Sequence, residues 1–358
     1  MIISRAPVRV SFFGGGTDLP AYYLQHGGAV LSATLDRYIY VVLGVSGDDE
    51  LQVTSSDYGT FYRHVPGTPL LWDGDLSLIR AVLHQFGVSR GLSLFVASEV
   101  PPGTGLGSSS AVVVAVVKAV SIACGQRLSA CQVAELACEI EIGKLDKPIG
   151  VQDQYAAAYG GFNWMTFGPT GIAVEPLALP RSTLTRLEAN LVLGFTGSAH
   201  NSATILAEQN RSSRAGEQSV IEALAGVQAL AQQGRQLLTA GQLDRFGALL
   251  DEAWQYKRRF ARGVTSERID RLYRLARDHG ALGGKIAGAG GGGCLMVYCA
   301  DGAAARVQDA LEGEGVRCMH YHFEADGARV LFNAGLRLEP ERPATLAGER
   351  DTGGRKET

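Results

Sequence analysis

The sequence predicts an α+β protein built from two domains. The chain has 358 residues, which is more than one ordinary hydrophobic core accommodates. Apolar residues make up 46% of the chain and charged residues 19%, a composition typical of folded globular proteins. Strand-like and helical patterns follow one another in the order expected of two-layer α+β packing. We therefore predict domains at 1–180 and 181–338, and a polar, glycine-rich tail at 339–358 that is disordered.

Strands are predicted where apolar and polar residues alternate or where a short apolar run lies between turn residues. The first strand covers Val8–Phe12 and ends in the glycine-rich turn Gly14–Asp18. The other predicted strands are Tyr38–Val45, Leu51–Thr54, Phe61–Val65, Leu92–Val96, Phe162–Phe167, Ile172–Leu179, Leu191–Phe195, Cys294–Cys299, Val316–Phe323 and Arg329–Phe332.

One helix prediction depends on weighing length against propensity. The segment Ser110–Ala123 is rich in valine, which favours strands, but it is longer than a strand of about five or six residues. We therefore predict a buried helix. Ser129 and Gln132 have the spacing of a capping box, which begins the next helix. The remaining predicted helices cover 76–86, 129–144, 201–210, 216–234, 241–261, 266–278 and 302–313.

Charge and hydropathy exclude several classes of function. The net charge is −3 and no stretch is densely basic, so we predict no nucleic-acid partner and no membrane surface as partner. No apolar run reaches the roughly 18 residues that span a bilayer, and the N-terminus lacks the apolar block of a signal peptide. The six cysteines form no CxxC pair, which argues against a zinc site. We expect a cytoplasmic protein; a homodimer is left open.

The 46 glycines cluster in a few runs, and the central run reads PPGTGLGSSS at 101–110. Glycine lets the backbone approach an anion closely, and the helix start that follows offers unpaired N–H groups. A Walker A loop would need lysine after the last glycine, and a dinucleotide-binding loop would need glycine at Ser108. Two interpretations remain: a phosphate-binding loop of another kind, or a glycine-rich turn before a helix that Ser108–Ser110 cap.

A second run, 288–293, matches G-x-G-x-x-G but precedes the predicted strand Cys294–Cys299 instead of opening a helix. This context disfavours a dinucleotide fold, and with it an NAD-dependent oxidoreductase. We expect this loop to pack beside the phosphate loop.

Three segments in order resemble the motifs of the GHMP kinases, the superfamily of galactokinase, homoserine kinase, mevalonate kinase and phosphomevalonate kinase. They are RVSFFGGGTD at 9–18, GTGLGSSS at 103–110 and KIAGAGGGG at 285–293. The resemblance extends to about residue 335. It implies a ribosomal protein S5 domain 2-like N-terminal domain and a ferredoxin-like C-terminal domain. It also implies that the cleft between them transfers the terminal phosphate of ATP, with Mg²⁺, to a small molecule.

The resemblance also implies roles for individual residues. Asp153 matches the general base, and Arg9 beside it would keep the carboxylate ionised and oriented. Ser109 and Glu141 match the Mg²⁺ ligands. The residues matched to ATP binding are Gly103, Gly105, Leu106, Gly107, Ser108, Ser109 and Ser110. Those matched to substrate contacts are Arg9, Gly15, Gly16, Thr17, Asp18, Gly290 and Gly291.

Each role has a plainer structural alternative. Glu141 could be a solvated helix charge, Asp153 a helix cap, and Arg9 with Asp18 a structural ion pair. Lys285 either touches phosphate or is a strand residue without that role.

The substrate is indicated by finer resemblances. Gln152-Asp153-Gln154 resembles fucokinases and heptose kinases, whereas Gly15 and Gly16 replace the glutamate and histidine of the galactokinase motif. Segments 6–20, 27–34 and 281–285 look most like kinases of D-glycero-D-manno-heptose 7-phosphate, which phosphorylate the anomeric hydroxyl to give a 1,7-bisphosphate for nucleotide-activated heptose and surface polysaccharide. Two further readings stay open: a 1-kinase of a free sugar such as fucose, and a catalytically silent sugar or nucleotide sensor.

A sugar phosphate as substrate needs its own cationic or N–H-rich pocket. Two segments are candidates for that pocket: residues 196–202, with His200, and the pair Lys257 and Arg258 on the predicted helix 241–261.

Overall fold

The computed structural model of the chain describes residues 1–47, 49–57, 59–65, 67–197 and 202–339. Its strands in chain order are β1 Ile2–Phe13, β2 Gly28–Val45, β3 Leu51–Ser55, β4 Thr60–His64, β5 Leu92–Ser98, β6 Phe162–Gly168, β7 Gly171–Pro176, β8 Leu191–Phe195, β9 Ala281–Ile286, β10 Cys294–Cys299, β11 Arg317–Cys318, β12 Phe323–Glu324 and β13 Arg329–Asn333.

The helices alternate with these strands. They are α1 Pro20–His26, α2 Ser77–Gln85, α3 Ser108–Ala123, α4 Ala130–Cys138, α5 Gln152–Tyr159, α6 Arg181–Asn190, α7 Ser202–Arg214, α8 Gln218–Thr239, α9 Leu243–Lys257, α10 Glu267–Asp278 and α11 Ala304–Gly313. A π-helical turn, Glu139–Lys144, continues α4. Within the described ranges, no helix has the length and apolar character needed to cross a membrane.

The strands form two sheets in the described part of the chain. The first follows the order β13-β1-β2-β5-β3-β4, with β6 and β12 also paired to β2 and β7 paired to β6. The second has the order β11-β8-β10-β9. The long strand β2 holds the first sheet together, since its first half pairs with β6 and its second half with β5.

The helix α3 confirms the prediction made from segment length. Its valines at 113, 114, 116, 117 and 120 are all fully buried, and the helix lies against β1 and β2. Burial on nearly every side explains why β-branched residues are tolerated, because packing outweighs their weak preference for strands. The capping box is also present, with Ser129 Oγ accepting from Gln132 N at 3.2 Å and Gln132 Oε1 accepting from Ser129 N.

Several elements were not predicted. The strand β9 reads ALGGKI, and its two glycines lower strand propensity. The eight-residue helix α5 has six buried residues and therefore no amphipathic pattern to detect. The helices α1 and α6 and the first half of β2 were also missed. Val316–Phe323 was wrong as one continuous strand, since only the two-residue strand β11 and the first residue of β12 fall within it.

The chain returns to the first sheet at its last strands. β12 pairs with β2, and β13 pairs antiparallel with β1, so residues 323–333 extend the sheet that residue 2 begins. The domain limits at 180 and 338 stay predictions. The disordered tail predicted for 339–358 lies, apart from Glu339, outside the described residues.

Candidate active site

The glycine-rich loop before α3 ends at an open helix start. Gly103, Gly105 and Gly107 have φ angles of 75°, 75° and 74°, a region that favours glycine. Gly107 is the N-cap of α3, and no side chain caps the helix. The serines 108–110 are the first residues of the helix. The interpretation that they cap it is therefore wrong. The first-turn N–H groups of α3 are thus open to an anion.

The loop between β9 and β10 packs directly on this glycine-rich loop. Cys294 N donates to Thr104 O at 2.9 Å. A methyl group on Gly105 would lie 2.5 Å from Ala287 O, and one on Gly288 would lie 2.7 Å from the Cα of Gly105. Only glycine permits this approach, as expected for two loops that hold each other in place.

Asp153 and Arg9 form the ion pair at the centre of the site. Arg9 Nε donates to Asp153 Oδ1 at 2.8 Å, and Arg9 Nη2 lies 2.7 Å from the same oxygen. Arg9 Nη1 donates to Gly105 O at 2.6 Å. The other carboxylate oxygen, Asp153 Oδ2, faces the glycine-rich loop, 3.3 Å from where a methyl on Gly107 would stand. One buried guanidinium thus joins the carboxylate to that loop.

Asp18 connects the first glycine-rich turn to the start of α5. Its carboxylate accepts from Gly16 N at 2.8 Å and from Gln152 N at 3.2 Å. Burial first, and then the charge of Asp153, raises the pKa of the Asp18 carboxyl. Arg9 pairs with Asp153, so the predicted alternative of a structural Arg9–Asp18 pair is not what the structure shows.

Two side-chain oxygens beside the glycine-rich loop, from Ser109 and Glu141, lie near the side-chain amine of Lys147. The π-helical turn places Glu141 fully buried, where Gln154 Nε2 donates to its Oε2 at 2.6 Å. Lys147 Nζ lies 3.3 Å from Ser109 Oγ and 3.7 Å from Glu141 Oε1, an oxygen without a hydrogen-bond partner among the described residues. Because the basic nitrogen of Lys147 already lies near both oxygens, their position suits a positive charge. Burial raises the pKa of Glu141 and lowers that of Lys147.

Ser109 and Glu141 are therefore suited to a small hard cation such as Mg²⁺, which keeps water and phosphate oxygens as its other ligands. Among the described residues, no group of three or more His, Cys, Asp or Glu side chains could hold a metal by itself. Its remaining ligands would have to come from water or a bound molecule.

These groups line two cavities. One, of about 240 Å³, lies between the β3–β4 hairpin, the start of α2 and the start of α3, and Ser108, Ser109 and Lys147 line it. The other, of about 100 Å³, is the cleft beside Asp153. Two lysines line this cleft at 7% and 5% exposure, Lys257 and Lys285. Burial, and then the charge of Arg9, lowers the pKa of Lys257 to about 7; burial holds that of Lys285 well below its usual range.

Comparison with known proteins decides the family. The model of the GHMP kinases N terminal domain matches residues 76–161, and the GHMP kinases C terminal model matches 235–317. A D-glycero-α-D-manno-heptose 7-phosphate kinase of Campylobacter jejuni is 30% identical over 334 residues, covering 92% of this chain and 98% of that protein. The chain belongs to the GHMP kinases.

Other relatives of this GHMP kinase differ in what they act on. A mevalonate kinase of Thermococcus sibiricus is 26% identical over 317 residues, covering 82% of this chain and 88% of that protein. The crystal structure of a D-glycero-D-manno-heptose 1-phosphate kinase from Bacteroides thetaiotaomicron superposes with a TM-score of 0.78 at 28% identity, covering 93% and 99% of the two chains. The fold is the two-domain fold predicted from the motifs, and the enzyme is an ATP-dependent kinase.

The structure of the kinase brings most predicted site residues together, but not all of them. Arg9, Gly15, Gly16, Asp18, Asp153 and Lys257 line one cleft. Thr17 does not, because it is fully buried and its hydroxyl bonds Gly14 O and Ala29 O. Leu106 is also fully buried and can contribute only its backbone.

Three further predicted substrate contacts lie elsewhere. Gly290 and Gly291 pack on Val264, with Gly291 N donating to Val264 O at 2.8 Å; Gly288 and Ala289 line the cleft instead. Arg258 pairs with Asp270 at 2.9 Å and faces a different groove. His200 lies outside the described residues.

The kinase site also contains four residues for which no role was predicted: Ser11 and Gln152, which lie within quoted motifs, and Lys147 and Gln209, which do not. Gln152 could have been predicted as a site residue because it directly precedes Asp153 in the sequence. Gln209 comes from α7, and no pattern in the sequence connects it with the glycine motifs.

Proposed function

We propose that this kinase transfers the terminal phosphate of ATP to the anomeric C1 hydroxyl of D-glycero-D-manno-heptose 7-phosphate, yielding the 1,7-bisphosphate for nucleotide-activated heptose and surface polysaccharide. The observation that carries the chemistry is Asp153, whose second carboxylate oxygen faces the phosphate loop at Gly107. The acceptor is proposed from the Campylobacter jejuni relative, which acts on the heptose 7-phosphate. A cytoplasmic location stays a prediction.

Phosphoryl transfer requires that the phosphates are bound and that the acceptor hydroxyl is oriented toward them. The glycines at 103, 105 and 107 and the open start of α3 would bind the phosphates. Arg9 fixes Asp153 Oδ1, which leaves Oδ2 to accept the proton of the C1 hydroxyl. The C1 oxygen forms its bond to the terminal phosphorus while the bond from that phosphorus to the ADP oxygen breaks. ADP and the 1,7-bisphosphate leave, and Asp153 releases its proton to solvent.

The groups around this transfer can bind or acquire positive charge. Ser109 and Glu141 would hold Mg²⁺, which neutralises phosphate charge when it is bound. Lys257 and Lys285 face the cleft as buried amines, and an entering phosphate would raise their pKa and favour their charged forms. Of the pair predicted to bind the substrate's own phosphate, Lys257 remains a candidate and Arg258 does not.

The cavity lined by Ser108 and Ser109 is proposed as the site of the nucleoside. It shares no lining residue with the cleft beside Asp153, so a nucleotide in it would extend its phosphates along the phosphate loop toward Asp153. Its walls include Ile39, Leu78, Val96 and Val112, apolar surfaces suited to a base.

The experiment is ADP release from Mg-ATP with heptose 7-phosphate, mannose, fucose, galactose and mevalonate as acceptors. Turnover on the heptose phosphate, with a product that NMR shows phosphorylated at C1, would support the proposal. Preference for an unphosphorylated sugar would support a sugar kinase but would rule out the heptose phosphate as its substrate. ATP binding without turnover on any acceptor would favour a silent sensor.

A further inference from the structure

Three buried polar atoms in the cleft lack a hydrogen-bond partner among the residues that the structure describes. They are Ser11 Oγ, Gln152 Oε1 and Gln209 Nε2. Their residues are 7%, 7% and 3% exposed, and all three line the cavity beside Asp153. A buried polar group without a partner destabilises a fold unless a ligand or water supplies one. Three such groups in one small cavity indicate a ligand.

These groups come from three different elements and converge on Gly15 and Gly16. Ser11 lies on β1, Gln152 on α5 and Gln209 on α7. A methyl on Gly15 would lie 3.3 Å from Ser11 Oγ and 3.5 Å from Gln152 Nε2; one on Gly16 would lie 2.7 Å from Gln209 Nε2. The side chains of all three residues therefore lie beside these two glycines, and Gln152 approaches Gly15 through its Nε2.

The chemistry of the set selects one class of ligand. The hydroxyl of Ser11 donates and accepts, Gln152 Oε1 accepts, and Gln209 Nε2 donates. A ligand must then offer hydrogen to Gln152 as well as accept it from Gln209. Hydroxyl groups do both, whereas a carboxylate only accepts.

We propose that Ser11, Gln152 and Gln209 bind hydroxyl groups of a polyhydroxylated acceptor and so determine the acceptor class of this enzyme. The inference rests on the proposed function in one respect, that the reacting hydroxyl lies at Asp153. It deepens that function because it explains, from neutral side chains, how the cleft favours a sugar over a hydroxy acid such as mevalonate.

The test compares Ser11→Ala and Gln209→Met with two matched controls. Ser32→Ala removes a buried, unpartnered hydroxyl from β2 beside Ser11, and Ser32 does not line the cleft. Gln232→Met makes the same change as Gln209→Met at an exposed position of α8. Thermal unfolding verifies that each variant folds. With heptose 7-phosphate, we expect KM for the sugar to rise about ten-fold in each test variant. KM for ATP should stay unchanged, and the controls should match the parent.

Direct binding separates this inference from the proposed function. Calorimetric titration of the parent uses a non-hydrolysable ATP analogue with heptose 7-phosphate, mannose or mevalonate. If the parent binds a sugar without phosphorylating it and Gln209→Met weakens that binding, the hydroxyl-binding set stands and the kinase proposal fails. If the parent phosphorylates the sugar and both test variants keep its KM, the inference is wrong and the kinase proposal stands. A parent that binds mevalonate and no sugar overturns the inference.

Discussion

The side-chain amine of Lys257 donates a 2.6 Å hydrogen bond to the carbonyl oxygen of Gly288. A second bond, 2.7 Å long, runs from the same amine to Ile286 O. The end of α9 thereby anchors the loop that packs on the glycine-rich loop before α3. A neutral amine has two hydrogens to donate, so both bonds persist when Lys257 is uncharged.

Lys257→Met tests this anchor through pH. Burial lowers the pKa of Lys257 from 10.5 to about 7, so between these values the unfolded chain binds this proton and the folded chain does not. The free energy of unfolding of the parent, relative to the variant, therefore rises with pH across that window. We expect the variant to be less stable by about 1–3 kcal/mol at about pH 9, because it leaves two carbonyls unpaired. The difference should shrink toward pH 7.

Urea unfolding of both proteins at several pH values measures this difference. A stability difference that stays constant from neutral to alkaline pH would contradict the depressed pKa.

Asp153→Asn tests the proposed base. The amide keeps the shape of the side chain but accepts no proton, so turnover should fall by about 10²–10⁴-fold while ATP binding persists. Asp278→Asn, at an exposed position at the end of α10, is the matched control. Steady-state ADP release and nucleotide titration give the two quantities. Turnover of Asp153→Asn within a few-fold of the parent would remove the general-base assignment.

Glu141→Gln tests the proposed metal site. Losing a buried carboxylate ligand should raise the Mg²⁺ concentration for half-maximal activity by about ten-fold, because contacts to a charged group contribute about 1.5–3 kcal/mol. Ser109→Ala should shift the titration in the same direction. Glu139→Gln makes the same change at an exposed position of the same π-helical turn and should leave it unchanged. Identical Mg²⁺ titrations for the parent and Glu141→Gln would show that Glu141 holds no metal.

Gly105→Ala tests the contact between the two glycine loops. The new methyl would stand 2.5 Å from Ala287 O at a φ of +75°, so both steric overlap and backbone strain oppose it. Gly216→Ala has a similar φ of +67° and open space around it, so it shows the strain alone. We expect Gly216→Ala to destabilise by about 1 kcal/mol and Gly105→Ala by more, with weaker ATP binding only in the latter. Equal effects on stability and normal ATP binding in both would mean that the loops do not depend on each other.

The glycine motifs were predictable because the backbone conformation they require depends only on residues that are neighbours in the sequence. A run of glycines before a helix start indicates anion binding whatever the tertiary structure around it. The predicted contact between the loops at 103–107 and 287–293 is also present. The orientation of single side chains was not predictable in this way. Lys257 and Arg258 are neighbours, but successive residues at a helix end point about 100° apart, so one enters the cleft and the other pairs with Asp270.

The unpredicted parts of the site depend on tertiary contacts. Gln209 reaches Gly16 across nearly two hundred residues of sequence, and α5 is too short and too buried to show a periodic pattern. Lys147 follows the π-helical turn, a geometry that sequence propensities do not encode.

The pairing of β1 with β13 has a consequence for how this protein is made in a cell. Ile2 aligns with Asn333, so β1 waits for a partner strand that is synthesised about 330 residues later. At about 5–20 residues per second, that wait lasts from roughly twenty seconds to a minute. Through it, one edge of β1 has no partner, and such an edge invites pairing with other chains. Protection by a chaperone during synthesis would therefore matter more for this enzyme than for one whose first sheet closes early.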